Sequence, residues 1–118
     1  TNRAVLTPED ANRLRDGGPV GTAAAAMLDS YLAFYETAYE HGGAPIHDAV
    51  AVTHAVRPGV VTTLARRVDI ELGGLCRGRT VVDMRLRTTL PEPNAQVAVD
   101  IDVPAFRDLL LERLASLG

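Results

Sequence analysis

The hydrophobic period of this chain changes in mid-sequence, and that change restricts the fold more than any other feature. Up to about Val56, apolar residues recur at three- and four-residue steps, the spacing of amphipathic helices. From Leu64 the period is two: Leu64, Val68, Ile70 and Leu72 alternate with Ala65, Arg67, Asp69 and Glu71, and Arg66 interrupts the apolar side. Thr80 to Met84 reads as a returning strand of an antiparallel hairpin, with Gly73-Gly74 permitting the turn. Val97, Val99 and Ile101 alternate in a last strand. Phe106, Leu109, Leu110, Leu114 and Leu117 then trace the apolar side of a terminal helix that opens at Asp102-Val103-Pro104, with Arg107, Asp108, Glu112 and Arg113 outside. The order helix, helix, helix, hairpin, strand, helix places the chain in the α/β class.

Caps and breakers set the helix boundaries. Thr7-Pro8-Glu9-Asp10 is a capping box with proline at the first helical position, and Gly17-Gly18-Pro19 ends that short helix. A long helix runs from about Gly21 to His41. Met27, Tyr31, Phe34, Tyr35 and Ala38 mark its expected buried face. A third helix, from about Asp48 to Val56, stops at Arg57-Pro58-Gly59. Pro91-Glu92-Pro93-Asn94 is a loop.

At 118 residues the chain is one domain at most, with room for a modest core. With only 4% aromatic residues and no Trp, alanine, valine and leucine must do most of the packing. The net charge is −3 and the basic residues are dispersed, which argues against a nucleic-acid partner. No run approaches the ~20 apolar residues of a membrane span. The lone Cys76 has no internal disulfide partner, in keeping with a reducing, cytoplasmic setting. The opening Thr1-Asn2, without an initiator Met or signal peptide, reads as a fragment.

The chemistry concentrates at Gly43-Ala44-Pro45-Ile46-His47-Asp48-Ala49-Val50-Ala51-Val52. A turn ends one helix, and Asp48 stands where the next begins. The free N–H groups and dipole of a helix N-terminus favour an ionised carboxylate, and the adjacent imidazole can give or take a proton near neutrality. The same residues also suit a plain helix start with a loop histidine beside it. His54 lies two turns beyond His47 and reads as structural, since two histidines at that distance are no zinc pair. His41 reads as an exposed helix-end residue. Arg77-Gly78-Arg79 is a basic loop without the strand-to-helix setting of a phosphate loop.

The decamer, followed by Arg57-Pro58, resembles the C-terminal signature of the inosine–uridine-preferring nucleoside hydrolases. Val68-Asp69-Ile70-Glu71-Leu72 running into Arg77-Gly78-Arg79-Thr80-Val81-Val82-Asp83 fits the same family, as does Asn94 to Asp100 leading into the last helix. The resemblance implies that residues 1–118 are the C-terminal segment of a nucleoside hydrolase domain, the far end of a larger open mixed sheet with flanking helices. It implies an enzyme that splits the N-glycosidic bond of purine and pyrimidine nucleosides with water, with Ca²⁺ held by several aspartates. By that resemblance His47 is the acid at the leaving base and Asp48 is one calcium ligand.

The resemblance also brings side chains from the end of the long helix to the base. Tyr35 and Tyr39, one turn apart there, offer rings to stack on a base and hydroxyls to bond it; a core or interface role is the alternative. The family's aspartate-rich N-terminal stretch is not in this chain. The expectation is therefore a chain inactive alone and weak for Ca²⁺, completed by the N-terminal portion of the same enzyme and prone to homo-oligomerise. A non-catalytic α/β module for self-association or nucleoside binding is the alternative.

Overall fold

The structure is a computed structural model that describes all residues except 39–41, 86–88, 90 and 118, and the side chain of Ala38. Its elements are β1 (Val5–Leu6), α1 (Pro8–Arg15), α2 (Gly18–Ala38), β2 (Ala44–Pro45), α3 (Asp48–Val56), β3 (Val61–Arg66), β4 (Val68–Ile70), β5 (Thr80–Val82), β6 (Ala95–Ile101) and α4 (Val103–Ala115). The α/β class holds. The described strands form three two-stranded pairs, β1 with β2, β3 with β6, and β4 with β5. The backbone divides into two units: Thr1–Val61 with Ile101–Gly118, and Thr62–Asp100.

The first unit contains the core. α1 starts as its residues dictate: the Thr7 side chain accepts from the Asp10 backbone, and the Asp10 carboxylate accepts from the Thr7 N–H at 2.8 Å. α4 starts at Asp102, whose carboxylate accepts from the Ala105 N–H at 3.0 Å. One core cluster joins Ala4, Val50, Val60, Val61, Ile101 and Phe106. A second joins Leu6, Ala11, Leu14, Ala25, Leu28 and Leu111.

Three expectations about buried faces are corrected here. α2 starts at Gly18 and buries Gly21, Ala25 and Leu28, while Met27 is 74% and Phe34 59% exposed. Both sides of α2 are apolar, and the side with the smaller residues wins because it lets α1 approach closely. A Cβ on Gly21 would stand 2.2 Å from the Leu14 carbonyl oxygen. Tyr31 and Tyr35 are half-buried, and Ala38's side chain lies outside the described residues, as do Tyr39 and His41.

In α4, Leu111 is buried and Leu117 exposed, because the helix closes at Ser116 and Leu117 leaves its register. Arg107, expected outside, instead reaches Asp10 with its Nη2 2.7 and 2.8 Å from the two carboxylate oxygens.

In the second unit, the expected single strand breaks at Arg67, where the chain changes partner from β6 to β5. The hairpin is antiparallel as expected, in the register Val68↔Val82, Asp69↔Val81 and Ile70↔Thr80. Gly74 and Gly78 adopt φ of 65° and 88° in its nine-residue connection, a region that suits glycine. Asn94 brackets Val68, accepting from its N–H at 2.7 Å and donating to its carbonyl at 2.8 Å. The expected half-burial fails: Leu64, Ile70 and Leu72 are exposed, and no described residue of Thr62–Asp100 is buried. Paired strands without a covering layer in their own unit have no inside.

Candidate functional site

The segment that presents His47 and Asp48 is clamped before it reaches them. Gly42 turns with φ 60°, and Gly43 then passes so close to β1 that a Cβ on it would stand 2.6 Å from Val5 Cγ1 and 2.7 Å from the Leu6 carbonyl oxygen. Ala44 and Pro45 pair antiparallel with Leu6 and Val5, and the Ile46 N–H donates to the Ala4 carbonyl at 2.8 Å. Gly43, Ala44 and Pro45 are buried. Ile46 packs on both core clusters. Sequence reading found the turn but not this two-residue ladder, because strands so short carry no periodic signal.

The clamp delivers His47 to the N-cap of α3. Its backbone is already helical, at φ −83° and ψ −53°, and its side chain makes no capping bond. Asp48 is the first helical residue rather than the cap. Both side chains are exposed, while Val50 on the next stretch of helix points into the core. The imidazole and carboxylate are thus held by a buried frame yet remain open to solvent. Asp48 lies in the first turn of α3, where the Val50 N–H donates to the His47 carbonyl at 3.2 Å.

Two turns along, His54 is half-buried and its Nδ1 has no hydrogen-bond partner among the described residues. Among the described residues no three His, Cys, Asp or Glu side chains gather to hold a metal ion. Calcium takes about six to eight oxygen ligands, so Asp48 and its surroundings do not fit a complete calcium site.

Tyr35 sits near the end of α2. Its hydroxyl is 3.2 Å from that of Tyr31, and the rings meet edge-on with centroids 4.8 Å apart. Phe34 adds a second edge contact at 5.6 Å. The hydrogen bond with Tyr31 raises Tyr35's phenol above its ordinary value, with smaller contributions from burial and from the neighbouring phenol. The spacing places Tyr31 on the core face; its i, i+4 relation to Tyr35 is the available signal for the pair.

The comparisons with known proteins agree with one another. The sequence profile described as inosine-uridine preferring nucleoside hydrolase matches residues 1–108. The chain is 38% identical to a pyrimidine-specific ribonucleoside hydrolase RihA of Klebsiella pneumoniae subsp. pneumoniae, covering 98% of this chain and 38% of the relative. It is 41% identical to the RihA of Citrobacter koseri, with the same coverage.

Among solved structures, a purine-preferring ribonucleoside hydrolase from Gardnerella vaginalis superposes with a TM-score of 0.81 at 38% identity, over 97% of this chain and 37% of that one. A plant nucleoside hydrolase, PpNRh1, superposes at 0.82 with 24% identity over 97% of this chain and 38% of that one, a likeness of fold. The chain thus spans less than two fifths of the length of these relatives. By its profile match and its relatives, the chain belongs to the inosine–uridine-preferring nucleoside hydrolase family.

Proposed function

We propose that this chain is the C-terminal part of a calcium-dependent ribonucleoside hydrolase, which splits purine or pyrimidine nucleosides into ribose and free base. The observation that carries the reading is the clamped presentation of His47 and Asp48, side by side at a helix start, open to solvent and backed by core. In the reaction the C1′–N bond breaks with its electron pair leaving on the base, charge builds on the sugar as an oxocarbenium-like centre, and water adds to C1′. His47 donates a proton or a hydrogen bond to the departing base nitrogen. Tyr35 and Tyr39 flank the base.

Asp48 is one oxygen ligand of the calcium. The other ligands and the base that activates the water are not among the described side chains around Asp48, so this chain alone is inactive and binds Ca²⁺ poorly. It works with the N-terminal portion of the enzyme, in a homo-oligomer, in cytoplasmic nucleoside salvage. Both base classes fit the reading, since relatives of equal identity carry pyrimidine-specific and purine-preferring names.

The test is release of free base from inosine and uridine, with and without Ca²⁺, by the chain alone and by the chain joined to the preceding part of the Gardnerella enzyme. No release alone, and release from the joined protein that His47→Ala removes, supports the reading. Release unaffected by His47→Ala overturns it. Concentration-dependent size with no release in either form supports the alternative, a non-catalytic α/β module; the lone position of Asp48 favours that alternative.

A further inference from the structure

The two edges of the β4–β5 hairpin are finished differently. The Asp83 N–H donates to the Arg67 carbonyl and the Glu71 N–H to the Arg79 carbonyl, each at 2.9 Å. Bonded and unbonded pairs alternate along an antiparallel ladder. In the register Val68↔Val82, Asp69↔Val81, Ile70↔Thr80, the even-numbered residues therefore turn their backbone groups away from the hairpin. On the β4 side the Asn94 amide meets them at Val68, accepting from the N–H at 2.7 Å and donating to the carbonyl at 2.8 Å. On the β5 side Thr80 and Val82 turn theirs outward, and among the described residues no strand lies beside them. An open strand edge is a template for another strand.

We infer that the open edge of β5 pairs antiparallel with β5 of a second copy of this chain, Thr80 of each opposite Val82 of the other and Val81 opposite Val81 on the two-fold axis. The inference rests on the homo-oligomer of the proposed function, adds its place of contact, and leaves the chemistry aside. The side chains select this occupant. On one face of the resulting four-stranded sheet, Val68 and Val82 of one copy stand in line with Thr80 and Ile70 of the other, a row of β-branched residues suited to neighbouring strands. On the other face the half-exposed Val81 meets its own copy. The next row there runs Arg67, Asp83, then Arg79 and Glu71 of the other copy, and alternates in sign. Asn94 holds the outer edge at Val68, so the pairing closes as a two-fold dimer rather than growing into a fibre. The contact is short, and the dimer is accordingly concentration-dependent.

The test places a thiol on the axis: Val81→Cys in a Cys76→Ser background, oxidised with copper–phenanthroline. In the proposed pair the two Cα atoms at position 81 stand about 4.5 Å apart, within the roughly 4.4–6.8 Å that a disulfide spans. At concentrations where the dimer is populated, the linked dimer is expected to form roughly tenfold faster or more than with Leu75→Cys, fully exposed in the hairpin connection, because thiols held in register react at a raised effective concentration. Val82→Pro in the otherwise unaltered chain removes an outward N–H and no bond to β4. It is expected to abolish the concentration dependence of size in sedimentation equilibrium.

Equal rates at positions 81 and 75, or a monomer at every concentration, overturn the inference. So does a folded Val82→Pro protein that associates as before; if that variant does not fold, the ratio of the two oxidation rates decides. The Val81→Cys chain joined to the preceding part of the Gardnerella hydrolase is oxidised in the same way. Loss of the link there would assign the edge to the preceding polypeptide and also overturn the inference. Base release is measured in parallel. Linkage without release sinks the hydrolase reading and leaves the contact, and release without linkage does the reverse.

Discussion

Arg107 and Asp10 form a two-pronged ion pair, with Nη2 2.7 and 2.8 Å from the two carboxylate oxygens and Asp10 wholly buried. The same carboxylate accepts from the Thr7 N–H, so one side chain caps α1 and anchors α4. Removing one partner of a buried pair leaves the other charge unpaired. Asp10→Ala is expected to cost about 3 kcal/mol, the lower end for such pairs because Arg107 keeps access to solvent. Urea unfolding of the two proteins checks this; a loss below about 1 kcal/mol would place the pair among weak surface bridges.

The same carboxylate gives the fold a pH dependence. Burial alone would raise Asp10, but the hydrogen bonds from Arg107 and Thr7, with the guanidinium charge, outweigh it and hold the carboxyl below its ordinary value of 3.8. A group lowered in the folded state stabilises above its unfolded value, and that contribution disappears as pH falls through the folded one. Stability is expected to decline as pH drops below about 4, with a shallower decline in Asp10→Asn. Urea midpoints between pH 3 and 6 read both slopes, and parallel slopes would remove Asp10 from the account.

Gly21 should reverse the usual helix preference. Alanine in place of glycine inside a helix ordinarily stabilises by about 1 kcal/mol. At position 21 the added Cβ would lie 2.2 Å from the Leu14 carbonyl oxygen, so α1 and α2 must move apart. Gly21→Ala is expected to lose about 1–3 kcal/mol, the range for overpacking. Thermal unfolding by circular dichroism decides the sign.

Tyr31 should govern the titration of Tyr35. Tyr31→Phe removes the hydrogen bond that is the main cause of the raised phenol. Tyr35 is then expected to titrate closer to 10, its ordinary value, in a spectrophotometric titration near 295 nm. An unchanged curve would mean that the two hydroxyls do not interact in solution.

Sequence reading reached the fold where local chemistry decides it. The Thr7 box, the Asp102 cap and the start of α3 each follow from residues within a turn of one another, and the β4–β5 hairpin from two runs of alternating residues joined by a nine-residue connection. It failed where distant parts decide. The buried side of α2 depends on how closely α1 can approach, and Gly21 and Ala25 carry that information as small size rather than hydrophobicity. Arg107 reads as an outside residue until α1 brings Asp10 to it.

At the site, the position of His47 and Asp48 at a helix start was legible. The clamp of Ala44 and Pro45 on β1 was not, since its partner lies some forty residues earlier. Tyr39 lies outside the described residues, and Tyr35 acquires a partner, Tyr31, that periodicity assigns to the core.

The measurement that bears most directly on the central claim is base release from inosine and uridine, in the presence of Ca²⁺, by this chain joined to the preceding part of the Gardnerella hydrolase, with and without His47→Ala. The account predicts release by the joined protein and a fall of about 10²–10⁴-fold on losing the His47 acid, the usual contribution of such a group. Undiminished release from the His47→Ala protein would contradict it.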